Sequence, residues 1–208
     1  MEPKEAFFDT IKREFAPRLR DVGFKGSGQD FRRVSDEIIQ AVNIQGRRHG
    51  GSCALNIGLH ATFLPAGWQG ELPNISKIKE IDCEFRGRVT PNEGADYWWE
   101  YGSTPDFAIR SARHLAETFF DVAIPEFEKL ASVKALIDWL PIDAVIRGDY
   151  MTQFELQTIC RALLAMARTH QHLGNREDAK AFAAAGLARV GRGVRLIPQF
   201  ESILNDSL

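Results

Sequence analysis

The side chains best placed to do chemistry are arginines, amides and one histidine that alternation gathers on a single face of a sheet. Leu55, Ile57 and Leu59 alternate with Asn56 and His60. Successive side chains of a strand point to opposite faces, so if the apolar set meets a core, Asn56 and His60 look away from it. Asn43 and Gln45 on the preceding strand, and Arg86 and Arg88 on the following one, fall on that same second face, with Trp98, Trp99 and Tyr101 at its edge. Guanidiniums and amides so arranged would hold an anionic group or an acidic partner surface, with the aromatics as anchors. With His60 as acid or base, the set could instead hold an anionic substrate for hydrolysis. The alternative is a solvated sheet face, in which acids of the same strand, Asp82 and Glu84, pair with the two arginines.

Other constellations fail on spacing. Gly23-Phe24-Lys25-Gly26-Ser27-Gly28 is glycine-rich, but it follows a helical pattern and lacks the Gly-Lys-Ser/Thr order that sets a lysine beside phosphates, so it reads as a helix cap and turn. His170 and His172, two apart on a helix, diverge by about 160°. Cys53 and His60 have opposite strand parity and cannot share an ion. No serine or cysteine sits beside a histidine in a recognised nucleophile setting. No metal, cofactor or catalytic residue is therefore expected.

A chain of 208 residues with 44% apolar and 26% charged content suffices for one full core and an attachment that position these groups. Twenty-six basic against twenty-eight acidic side chains give a net charge of −2, without the basic excess that duplex DNA binding asks for. Cys53, Cys83 and Cys160 are an odd, widely spaced set and read as thiols outside any disulfide framework. The opening Met-Glu-Pro-Lys-Glu carries no apolar leader, and no apolar run nears the roughly 20 residues of a membrane span, so a cytoplasmic protein without a membrane partner is expected.

Phe8, Ile11, Phe15, Leu19 and Val22 form a helical stripe that Gly23 caps, with Pro17 forcing a kink or break near Ala16. From there the period is two: 31–34, 37–45, the alternating Cys53-to-Phe63 set, and Ile81, Cys83, Phe85 and Val89 read as an antiparallel meander, with a glycine-flanked tip at 46–51 and a surface loop at 64–80. Residues 96–101 could add a fifth strand. Helical spacing returns at Pro105, Pro125 is placed to open a short helix, and 150–208 carries no strand signal. The expected fold is α+β: an antiparallel meander with helices on one face over residues 1–140, then at 141–208 a helical hairpin and a terminal helix packed on the main domain.

Gly23-Phe24-Lys25, Phe31-Arg32-Arg33, Asn43-Ile44-Gln45, Leu55-Asn56-Ile57-Gly58, Cys83-Glu84-Phe85-Arg86-Gly87-Arg88, Trp98-Trp99 and Ile124-Pro125-Glu126-Phe127 together resemble a bacterial family catalogued as domain of unknown function 4304, over residues of about 5–140. The resemblance implies the α+β fold and brings no activity. Leu163, Ala167, Gly174 and Ala179 make the later hairpin similar to a single tetratricopeptide unit. Together these readings point to a non-catalytic binding or interaction protein, of immunity or accessory type. It would take a protein partner or a small anionic ligand on Asn43, Gln45, Asn56, His60, Arg86, Arg88, Trp98 and Trp99.

Overall fold

The structure, a computed structural model, describes residues 1–66, 71–92, 96–148, 154–156, 158–191 and 193–206. Helices α1 (Pro3–Thr10) and α2 (Ala16–Asp21) are joined without a gap by a π turn, Ile11–Phe15. The π turn is the form taken by the break expected near Ala16. Proline lacks an N–H and its ring clashes with the carbonyl four residues back, and a widened turn just ahead of it relieves both problems. The same device recurs at Phe119–Ala123, between α3 (Pro105–Thr118) and α4 (Ile124–Lys129), so Pro125 sits in a continuing helix instead of opening a separate one. The two bulged regions meet, with Phe15 edge-on to Phe119 at 5.3 Å between ring centroids.

Gly23 ends α2 with φ +88°, a left-handed conformation open to glycine at low cost. The N–H of Phe24 then closes back on the Leu19 carbonyl at 2.9 Å. Strands β1 (Lys25–Ser27), β2 (Asp30–Val34), β3 (Ile38–Gly46), β4 (Ser52–Ala61) and β5 (Phe85–Val89) follow as an antiparallel meander. β6 (Trp99–Glu100) pairs with β4, and β7 (Glu155–Leu156) pairs with β5 from beyond the helices. Further details depart from the sequence reading. The stretch 150–208, expected to hold no strand, supplies the short strand β7. The glycine-rich stretch forms a strand, β1, as well as a cap. The fourth expected strand begins only at Phe85: Ile81 lies in a 3-10 turn, Glu80–Asp82, and is 60% exposed.

Leu55, Ile57 and Leu59 are fully buried and share one hydrophobic cluster with Phe7, Phe15, Leu115, Phe119 and Phe127 of the helices. After α5 (Val133–Trp139) and α6 (Ile142–Arg147) come α7 (Ile159–His172), α8 (Arg176–Leu187) and α9 (Ile197–Leu204). Leu163, Met166, Phe182 and Phe200 of these last helices belong to the same cluster. Phe200 lies so close over Gly186 that a Cβ there would stand 2.3 Å from its ring.

Candidate binding site

The register gathers the second face of the sheet: Ile39 opposes His60, Ala41 opposes Gly58, Asn43 opposes Asn56, and β5 sets Arg86 beside Gly58 and Arg88 beside Asn56. Its two halves differ. Toward Gly58 and His60, the segment 76–84 lies over the strands like a strap. Gly58 permits this, since a Cβ there would meet Cys83 Sγ at 2.7 Å and the Glu80 carbonyl at 3.1 Å. Ile39, Ala41, Ile78 and Cys83 form a small apolar cluster under the strap. Polar ties hold it down: the Arg32 guanidinium donates to the Ser76 carbonyl, Lys79 Nζ to Asp30 at 2.8 Å, and Arg86 Nε to Glu80 at 2.6 Å.

His60 is under this cover and 0% exposed, which corrects the expectation of an imidazole on an open face. Its Nδ1 accepts the Glu84 backbone N–H at 3.1 Å, so the proton is on Nε2, which donates to the Leu64 carbonyl at 3.0 Å. Burial holds its pKa below the ordinary value, with the Leu64 hydrogen bond opposing. The ring is neutral and has both nitrogens committed to backbone, so it has no free position from which to serve as acid or base.

Toward the hairpin tip the face opens into a polar corner. Arg88 Nε donates to Asn56 Oδ1 and its Nη2 to Gln45 Oε1, both at 3.2 Å, while Asn56 Nδ2 donates to the same Gln45 oxygen at 2.8 Å. The third nitrogen of Arg88, Nη1, reaches Asp96 Oδ1 at 2.7 Å, and the Trp98 indole N–H donates to Asp96 Oδ2 at 2.8 Å. These hydrogen bonds, that from Arg88 first, hold the Asp96 carboxyl below its ordinary pKa. The guanidinium carbons of Arg88 and Arg47 lie 4.9 and 5.3 Å from the centroid of the Trp98 ring. Arg47 belongs to the exposed tip with Arg48 and His49, where Gly50 and Gly51 take φ near +80° to turn the chain.

Of the eight residues expected in a site, the corner unites Gln45, Asn56, Arg88 and Trp98. Asn43 adjoins them through Asn56 and donates to Asp30 at 2.8 Å. Arg86 is separated under the strap edge with Glu80. Trp99 points into the core, 1% exposed, its indole N–H donating to His114 Nδ1 at 3.2 Å. The expected ladder of Glu84 with the two arginines does not form: Glu84 pairs with Arg161 of α7 at 2.8 Å, and Arg88 pairs with Asp96. Arg47 and Asp96 had gone unassigned. The signal for Arg47 lay in the hairpin itself, which returns the residue after Gly46 to the end of β4.

Histidines 170 and 172 diverge as their spacing implies: one stacks on Phe182, the other on Phe63, with its ring centroid 3.8 Å away. Among the described residues no three His, Cys, Asp or Glu side chains converge as a metal site, and no helix is long and apolar enough to cross a membrane.

The protein is thus an α+β domain with helices on one face of an antiparallel meander and, on the other, a strapped half and a polar corner. The chain belongs to the family described as domain of unknown function (DUF4304), whose model matches residues 15–129, more than half of it. No curated protein and no solved structure matches it.

Proposed function

We propose that this protein is a non-catalytic binding protein, of accessory or immunity type and cytoplasmic, that docks an acidic partner on the corner formed by Arg47, Gln45, Asn56, Arg88 and Trp98. One observation carries this reading: two amide oxygens fix the Arg88 guanidinium from behind, while Arg47 joins it at a half-buried tryptophan. A cation whose direction is set before binding loses little freedom on meeting a carboxylate, and tryptophan and arginine are the residues on which interface energy concentrates. The hydrolase reading loses its support, because His60 and Arg86 are both committed beneath the strap. The three free cysteines, two of them buried, suit a reducing compartment. The α7–α8 hairpin, closed by Phe200 of α9, is read as a single tetratricopeptide-like unit serving as a structural appendage.

The test is a titration followed by backbone and indole NMR shifts, with a glutamate-rich peptide and with inorganic phosphate, at low and high salt. Shifts confined to the corner that salt suppresses, and that Arg88→Ala and Arg47→Ala each weaken, are the expected outcome. Shifts elsewhere, indifferent to both arginines, would remove the corner as the site.

A further inference from the structure

Asp96 offers its two oxygens to two different donors. Arg88 Nη1 takes Oδ1 at 2.7 Å and the Trp98 indole N–H takes Oδ2 at 2.8 Å. The corner is therefore already occupied by a carboxylate, one supplied by the chain itself. That carboxylate is weakly retained: the Asp96 side chain is 58% exposed, and exposed ion pairs are screened by water and salt. By contrast the donors beneath it are fixed, since Arg88 is also held by Asn56 and Gln45. Beside this acid the tip carries two further cations. Arg47 and Arg48 are exposed, and no ion pair engages either among the described residues.

The geometry points to Asp96 as an internal stand-in for a carboxylate of an acidic protein segment, which would displace it from Arg88 and Trp98 and set further acids against Arg47 and Arg48. This rests on the binding reading above and adds the partner's chemistry and a self-competing device. An acidic peptide fits better than a single nucleic-acid strand, because the Trp98 ring on which a base would stack already has two guanidiniums at 4.9 and 5.3 Å from its centroid. The displaced Asp96 gives the corner a threshold: a single free carboxylate competes with a tethered one at high local concentration, whereas a segment bearing several acids also gains the tip arginines.

The experiment uses the full chain and its Asp96→Asn, Arg88→Ala and Arg47→Ala variants, each checked by melting for an intact fold. Binding is measured by calorimetry and by the Trp98 indole NMR signal. The probes are a blocked peptide of alternating glutamate and glycine, its phosphoserine counterpart, inorganic phosphate and a thymidine oligonucleotide. We expect Asp96→Asn to bind the glutamate peptide about 5- to 10-fold tighter than the wild type, and Arg88→Ala to bind it at least about tenfold more weakly. Asp96→Asn binding no tighter than wild type would overturn the stand-in role even if Arg88→Ala weakens binding, which leaves the corner itself in place. Loss of neither affinity in Arg88→Ala or Arg47→Ala would overturn the corner and this inference together. Tighter binding of the phosphoserine peptide, phosphate or oligonucleotide than of the glutamate peptide would overturn the carboxylate class, as would no binding of that peptide to any of the chains.

Discussion

Arg161 of α7 donates from Nη2 to Glu84 Oε2 at 2.8 Å, linking the C-terminal helices to the residue just before β5. Burial raises the Glu84 pKa, and the charge of Arg161 is the first influence opposing it. Removing one partner of a buried pair costs more than removing both, because the survivor is left desolvated. Arg161→Met should therefore destabilise the chain by about 2–3 kcal/mol, somewhat under the figure for fully buried pairs since Arg161 reaches solvent. Glu84→Gln combined with Arg161→Met should recover part of the loss. Urea denaturation of the two single variants and the double one measures this; a double variant as unstable as the sum would contradict it.

Acidification should act on His60. Its folded pKa lies below the ordinary 6.5, so between the folded value and 6.5 the unfolded chain binds more protons, and stability falls as pH drops through that window. Glu80 and Glu84 act in the opposite sense: burial raises both above 4.5, so their contribution falls as pH rises from 4.5 toward their folded values. We expect His60→Asn to be less stable than wild type at pH 7 yet to lose less stability between pH 7 and 5. Melting curves across that range check the sign; parallel curves would contradict it.

Gly58 marks where the strap touches the sheet. Gly58→Ala forces a Cβ to 2.8 Å from the Cys83 Cβ, and overpacking of this kind costs about 1–3 kcal/mol. Cys83→Ala on top of it removes the nearest atom, Sγ, and should restore a fraction. Chemical denaturation reads both, and a neutral Gly58→Ala would show that the strap yields freely.

Arg86 and Arg88 should behave differently despite their symmetry in sequence. Arg86→Ala leaves the Glu80 carboxylate, 5% exposed, without its cation, and should lower stability by about 2 kcal/mol with peptide binding retained. Arg88→Ala breaks a pair whose acid is exposed, and should cost less than about 1 kcal/mol while weakening binding. Thermal denaturation beside a binding titration separates the two outcomes.

Parity in β4 was legible because the whole strand obeys a period of two: Leu55, Ile57 and Leu59 do face the helices, with Asn56 and His60 on the other side. Burial of His60 was not, because its cover includes part of the 64–80 stretch, whose prolines, asparagine and lysines read as surface. The available clue was Gly58, since a glycine inside a strand often marks the close approach of another backbone. Alternation of Ile81, Cys83 and Phe85 suggested a longer strand, but Cys83 packs in the small cluster under the strap while Phe85 packs in the main core. That one of Trp98 and Trp99 turns inward follows from their adjacency. Which one does so is decided by Trp99 opposing Cys53 across β6 and β4, a contact between residues far apart in the chain.

The division of the second sheet face also predicts how the sequence can drift. Arg86 and Arg88 are about 7 Å apart along one strand, yet one answers to the fold and the other, on the proposed reading, to a docked partner. Among related chains, changes at position 86 should be tied to changes at position 80, and those at 58 to those at 83, because each pair shares one packing problem. Positions 47, 88, 96 and 98 should change as a separate group, following the acids of a partner, so that a new specificity can arise without reopening the strap.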